Sequence, residues 1–183
     1  MDYNFKKCLD IILAHEGGFV DHPEDPGGAT NKGVTLQTYN QFLGREAEVE
    51  ELKNIPDEHV ETIYKNEYWD KVSGDKLPCG IDLAIFDWAV NSGFIRPAKV
   101  FQELIGAKVD GYIGPKTLEQ VGEQETHFNI ILNLCKKRED FYRALSTFDT
   151  FGKGWIRRTA ETREKSIELM EEDLYEKETD EDT

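Results

Sequence analysis

Cysteine is scarce in this chain, and the three present, at positions 8, 79 and 135, are odd in number and widely spaced. That excludes a disulfide framework and a zinc knuckle, and buried free thiols are the expectation. The four histidines, at 15, 22, 59 and 127, show neither HExxH nor HxH spacing, so no metal is expected. Positive charge is short as well: 22 Lys and Arg stand against 37 Asp and Glu, a net charge of -15. No basic stripe can hold a phosphate backbone over so acidic a face, which argues against nucleic acid as a partner. Long apolar runs are missing. The longest, residues 80–90, is broken by Asp82 and Asp87, so nothing reads as a membrane span. The first twenty residues carry Asp2, Lys6, Lys7, Asp10, His15 and Glu16 and hold no signal core. The expectation is a chain made in the cytoplasm without a signal peptide and not integral to a membrane. Neither GxGxxG nor a P-loop occurs, so no nucleotide or other cofactor is expected.

What is present is a globular composition of 183 residues, 38% hydrophobic and 11% aromatic, long enough to bury a core without staples. Residues 4–15 carry Phe5, Cys8, Leu9, Ile12 and Leu13 on a helical stripe, and Gly17-Gly18 are read as its stop through their tolerance of positive φ. Residues 19–35, with two Pro and three Gly, cannot be helical and read as an ordered turn-rich loop with a small hairpin. Helices are expected over 36–43, from Pro56 through Tyr68, over 80–92, from Pro97 to Gly106, from Pro115, over about 126–145, and from Trp155 onward. Residues 44–54 read as a charged connector or short helix. The stretch 80–92 is the most apolar and is expected at the centre. The fold class is therefore all-α with a small β-hairpin, about eight helices in one globule, and a monomer is expected. Three regions are expected: 1–95, a helical region 96–175 packed on it, and an acidic disordered tail over 176–183. Residues 168–183 alone hold nine acids and one Lys.

The stretch that carries chemistry runs from Glu16 to Thr35. A single carboxyl at a helix end faces a Gly-rich segment holding Asp21, Asp25, Thr30 and Thr35. Cleavage of a glycoside needs one carboxylic acid to protonate the leaving oxygen and a second polar group across the bond. An apolar stripe behind Glu16 and the negative end of its helix both disfavour a charge there, which suits a proton donor. The plainer reading is a solvated helix-end acid, with Asp21 and Asp25 capping turns and Thr35 capping the helix that starts at Leu36.

The run HEGGFVDHPEDPGGATNKGVT, residues 15–35, resembles glycoside hydrolase family 108. The likeness continues through Tyr68-Trp69, FDWAVNSG at 86–93, DGYIGPKTL at 110–118, and Phe151-Gly152-Lys153-Gly154-Trp155 followed by Arg157-Arg158. It covers roughly residues 5–160. The family comprises lysozyme-like N-acetylmuramidases of phage and prophage origin, endolysins, with relatives that act as secretion activators. Its C-terminal half is often called a type 3 peptidoglycan-binding domain.

The resemblance implies a lysozyme-like fold and cleavage of the β-1,4 bond between N-acetylmuramic acid and N-acetylglucosamine. Glu16 matches the family's general acid. By similarity to phage-type lysozymes, Asp25 and Thr30 handle the attacking water, with Asp21 a competitor for Asp25. The implied partner is the peptidoglycan glycan strand in the periplasmic cell wall, reached through a holin or a secretion system. Three further residues are candidates for substrate binding, each beside a plainer role. Asn91 reaches the cleft or caps its helix. Trp69 stacks on sugar or fills the core. Tyr112 contacts substrate or only shapes its turn. A catalytically silent scaffold or secretion accessory protein is the alternative, since fold does not fix function. The acidity gives no electrostatic steering toward an anionic wall.

Overall fold

The computed structural model describes residues 2–21, 28–121 and 127–181. The first helix, α1 (Asp2–Leu13), buries its stripe of Phe5, Cys8, Leu9 and Ile12 as its spacing requires. Its end differs from expectation. Neither Gly17 nor Gly18 takes a positive φ. The helix instead tightens after Leu13, with the amides of His15 and Glu16 donating to the carbonyls of Ile12 and Leu13 at 3.0 and 3.1 Å. Glu16 thus sits on a turn just beyond α1.

A hairpin of β1 (Thr30–Asn31) and β2 (Val34–Thr35) follows, antiparallel, with Thr30 opposite Thr35 and Asn31 opposite Val34. Lys32 and Gly33 join them, both at positive φ (48° and 74°), the conformation of a tight two-residue hairpin turn. Val20 pairs with the outer side of Thr30. Asn31 Nδ2 donates to the carbonyls of Leu52 and Lys53, fastening the hairpin to the next layer.

Thr35 caps α2 (Leu36–Leu43) as the sequence implies, its hydroxyl accepting from the Thr38 amide at 3.1 Å. The short α3 (Val49–Lys53) lies in the charged connector, and α4 (Asp57–Tyr64) follows Pro56. The helix expected to continue through Tyr68 widens into a π-helical turn over Lys65–Trp69, then two 3-10 turns, Asp70–Val72 and Gly74–Lys76. The wider turn puts Trp69 fully inside and leaves Tyr68 beside Tyr64, with ring centroids 5.6 Å apart.

The central helix, α5 (Ile81–Ser92), is buried on every side from Ile81 to Ala89. Leu83 and Phe86 pack into one apolar cluster with α1, α2 and α4. Ile81, Ala84, Ile85, Trp88 and Ala89 pack into a second with α6 (Ile95–Leu104), α8 (His127–Arg143) and α9 (Phe148–Glu181). Between α6 and α8 lies the short Pro-started α7 (Pro115–Leu118). The two halves therefore share α5 as a common wall.

The last helix departs most from its expected bounds. It starts at Phe148, seven residues before Trp155, and takes Gly152 and Gly154 into its first turns. Gly152 makes room for the Phe148 ring, which a Cβ there would meet at 2.5 Å. At the other end α9 runs through Glu181, where a disordered acidic tail was expected from 176. An ion pair one turn apart, Lys177 to Asp173 at 2.7 Å, offsets part of the like-charge repulsion. The fold is all-α with one small hairpin, as expected. Among the described residues no helix is long and apolar enough to cross a membrane.

Candidate active site

Glu16 stands where α1 ends and α9 passes. Its side chain is 18% exposed, and its Oε1 accepts from Arg158 Nη1 at 2.8 Å. Arg158 turns the rest of its fork inward, with Nε and Nη2 donating to Asp87 Oδ1 at 3.0 and 2.7 Å. Asp87 lies in the middle of α5 and is wholly buried. Its Oδ2 accepts from Arg138 Nη1 at 2.6 Å and from the Thr162 hydroxyl at 3.0 Å. Arg138 Nε in turn donates to the Tyr142 hydroxyl at 3.1 Å. Burial by itself pushes the Asp87 carboxyl up, but the guanidiniums of Arg138 and Arg158 outweigh it and hold the group well below the usual carboxylate range. Two carboxylates thus face two guanidiniums. Asp87 takes the larger share of Arg158, and Glu16 is held by a single bond.

The opposite side of Glu16 is closed by the hairpin turn. Tyr64 donates its hydroxyl to the Lys32 carbonyl at 3.0 Å and so ties the turn to α4. Burial, with the Glu16 charge adding to it, pushes the Tyr64 phenol far above its ordinary range, which keeps it a neutral donor. Gly33 is required here. A Cβ on it would lie 2.2 Å from the Tyr64 hydroxyl and 3.0 Å from Glu16 Oε2. Glu16 therefore has Arg158 at one oxygen and the bare turn at the other. His15, one residue back, is 3.4 Å from Glu161 of α9.

The candidates of the sequence analysis fall in different places. Glu16 is in the cluster. Asp25 lies outside the described residues. Thr30 sits on the strand leading into the Gly33 turn, held by paired backbone bonds of 2.8 Å to Val20. Asp21 is exposed. Asn91 is exposed on the last turn of α5, and its Nδ2 donates back to the Asp87 carbonyl at 3.0 Å, the capping role of its two alternatives. Trp69 is 0% exposed, packed against Phe5 and Phe86, with its indole N–H donating to Asp75 at 2.8 Å. That is a correction to its candidacy for sugar stacking: a ring with no open face fills the core. Tyr112 is 68% exposed on the α6–α7 connection, beside a cavity of about 490 Å³ lined by Lys108, Lys116 and Gln120. That connection contributes nothing to the Glu16 cluster. Its shape comes from buried Gln102, whose amide bonds Asp110, Gly111, Tyr112 and Thr117.

Sequence reasoning did not single out Arg158, Asp87, Arg138 or Tyr64 as parts of the site. One signal for Asp87 was available: a charge at a buried position of the most apolar helix must have a partner.

A family profile described as Glycosyl hydrolase 108 matches residues 9–93, and one described as Predicted Peptidoglycan domain matches residues 96–160. A solved structure of Brucella abortus SagA is 40% identical with a TM-score of 0.81, covering 93% of this chain and 97% of that one. The chain belongs to the glycosyl hydrolase 108 family. Comparison with curated proteins finds no match. This family 108 chain is lysozyme-like in fold and is a glycosidase acting on peptidoglycan. Its Glu16 cluster crosses the boundary between the two matched segments. Glu16, Tyr64 and Asp87 come from the first, and Arg138 and Arg158 from the second. The second segment completes the site.

Proposed function

We propose that the protein cleaves the β-1,4 bond between N-acetylmuramic acid and N-acetylglucosamine in peptidoglycan, with Glu16 as the general acid. The observation that carries this reading is the setting of Glu16: a mostly buried carboxyl with one oxygen fixed by Arg158 and the other against the Gly33 turn. Arg158 sets the rotamer, so the carboxyl meets the bond in one orientation. Oε2 carries the proton to the glycosidic oxygen as the bond from C1 to that oxygen breaks. Water adds to C1 from the hairpin side with Thr30 positioning it; Asp25 takes the proton that the water loses and releases it to solvent, and Glu16 is left ionised until it regains a proton from solvent. Tyr64 holds the hairpin turn at its distance throughout. Tyr112 supplies a separate contact with the wall polymer. The substrate lies in the periplasmic wall, so a holin or a secretion system must deliver the protein.

The test is clearing of purified Gram-negative sacculi by wild type beside Glu16→Gln, with mass spectrometry of the fragments. Wild type is expected to release products with muramic acid at the reducing end, and the variant to lose nearly all activity. A folded wild type inert on several peptidoglycan chemotypes would refute catalysis and favour the scaffold alternative. Products ending in reducing N-acetylglucosamine would refute the bond assignment alone.

A further inference from the structure

A single exposed ring is ordinary on a protein surface, but Tyr112 stands at a cavity that is rigid and has its own charge pattern. The α6–α7 connection that carries it is fixed from below. Buried Gln102 donates its amide to Asp110 Oδ1, the Tyr112 carbonyl and the Thr117 hydroxyl at 2.9, 3.0 and 3.2 Å. It accepts from the Asp110 and Gly111 amides at 3.0 and 2.8 Å. Ile113 is wholly buried, and its carbonyl accepts from the Ser73 hydroxyl at 2.7 Å. The Tyr112 ring rests on Gly114, where a Cβ would come within 2.6 Å of it, and the residue still keeps 68% of its surface open. The cavity of about 490 Å³ beside it is large enough for a small ligand or a few residues of an extended chain.

Charge sets the class of ligand. The protein is at -15 overall, yet the charged residues lining this cavity are two cations, Lys108 and Lys116, against one acid, Asp110. The acid is already engaged. Its Oδ1 accepts from Gln102 and from the Tyr112 amide at 2.9 and 3.0 Å, and its Oδ2 faces Lys108 at 3.7 Å. Lys116 is left with no paired acid among the described residues. Gln120 adds an amide at the same wall. Ammonium groups suit a carboxylate, a side-chain amide suits a peptide group, and a phenol ring suits alkyl carbons. In peptidoglycan these features belong to the peptide stem. The lactyl carboxyl of each muramic acid is used up in the amide that joins the stem, so the free carboxylates lie on the peptide and not on the sugars.

We propose that the Tyr112 cavity, through Lys108, Lys116 and Gln120, binds the carboxylate-bearing peptide stem of peptidoglycan. This rests on the reading of the protein as one that acts on the wall polymer. The site is separate from the Glu16 cluster, to which the α6–α7 connection contributes no residue. Holding a stem here while the glycan is engaged elsewhere grips one polymer at two points, which raises the effective concentration of the strand. It also reconciles the acidity of the chain with an anionic target, because the contact is made through a locally positive cavity.

The full chain carrying Glu16→Gln serves for binding, so that sacculi stay intact. Calorimetric titration with the free tripeptide L-Ala-γ-D-Glu-meso-diaminopimelate should show binding that weakens as salt rises. Adding Lys108→Glu and Lys116→Glu should weaken it by about tenfold. Both lysines are exposed, so Tm should move by less than about 2 °C. In co-sedimentation, the tripeptide should displace the protein from sacculi and inorganic phosphate at the same concentration should not. Absence of tripeptide binding, or equal binding after both lysine changes, would overturn the proposal. Displacement by phosphate as effective as by tripeptide would also overturn it, by showing a general anion site. If Glu16→Gln clears sacculi like wild type while tripeptide binding persists and depends on the lysines, the catalytic reading falls and the stem site stands.

Discussion

Asp87→Asn keeps the shape of the side chain, removes its charge and turns one acceptor oxygen into a donor NH2. In the wild-type protein that carboxylate accepts two bonds from Arg158, one from Arg138 and one from Thr162. The side chain of Arg138 is 2% exposed, so in the variant its charge stays buried with no counter-charge beside it. Removing one member of such a buried pair costs about 3–5 kcal/mol, chiefly the penalty of the stranded charge. For a chain of this length each kcal/mol lowers Tm by roughly 2–4 °C, so a fall of roughly 6–20 °C is expected. Scanning calorimetry and urea unfolding at pH 7 measure it, and high salt should leave the difference in place because the pair is dry. Activity at a temperature where the variant is folded should fall by about tenfold or more, since Arg158, no longer anchored by two bonds to a carboxylate at position 87, loses its hold on the orientation of Glu16. Adding Arg138→Met should recover part of the lost stability, because it removes the stranded charge. A Tm within about 2 °C of wild type, or a double variant that loses the full sum of both single costs, would refute the reasoning.

Gly33→Ala forces a Cβ onto a residue at φ 74° and within 2.2 Å of the Tyr64 hydroxyl, so a loss of about 2–3 kcal/mol and of most activity is expected; unfolding by urea and sacculus clearing read the two effects. Asp82 is buried and accepts from the Gly80 and Leu83 amides, yet burial pushes its carboxyl up to about 7, while the unfolded chain titrates near 3.8. The native state thus holds the extra proton between those values, and stability should decline as pH rises from about 4 to 7, by roughly 2–4 kcal/mol. Urea midpoints at pH 5 and pH 8 measure the slope, and Asp82→Asn should flatten it; an equal slope in both proteins would refute the assignment. Trp69→Ala should cost about 3–5 kcal/mol through the cavity it leaves, with KM for sacculi unchanged in the folded fraction; a selective rise in KM would return that ring to the glycan.

Local signals were enough for most of the helices. Thr35 before Leu36, Pro56 before α4, and Pro115 at the start of α7 each mark a boundary by a mechanism confined to a few residues. The misreadings occurred where packing overrides such signals. Gly152 and Gly154 look like breakers, yet Gly152 is filled by Phe148, and α9 gains its stability from a long contact with α8. The π-helical turn at Lys65–Trp69 arises from burying Trp69 against Phe5 and Phe86, residues far away in the chain. Gly17-Gly18 carry the local signature of a helix stop, but α1 ends without using their freedom.

The site was legible in proportion to how local it is. Glu16 stands in a dense motif, which short-range reading of the sequence can pick out. Its partners are 71 residues apart from each other and up to 142 from Glu16, and no period or spacing links them. Asp87 announced that a cation must come to it, but not which of the chain's 22 Lys and Arg would do so. Asn91 and Trp69 show the converse limit. Their residue types fit a glycan and a fold equally well, and only burial and hydrogen bonding separate the two.

This long-range character bears on how the two family segments relate. An independent wall-binding module should have its own core and a polar boundary. Here α5, which ends just before the boundary, supplies Leu83 and Phe86 to the first cluster and Ile85, Trp88 and Ala89 to the second. Cutting between residues 93 and 96 would bare that second face. It would also leave Asp87 as an unpaired carboxylate at the centre of an apolar helix, and Glu16 without Arg158. Both penalties fall on the half that holds Glu16. The segment described as a peptidoglycan domain therefore forms part of the Glu16 cluster itself, through Arg138 and Arg158, and the same two residues also neutralise the buried Asp87 on which the packing of α5 depends.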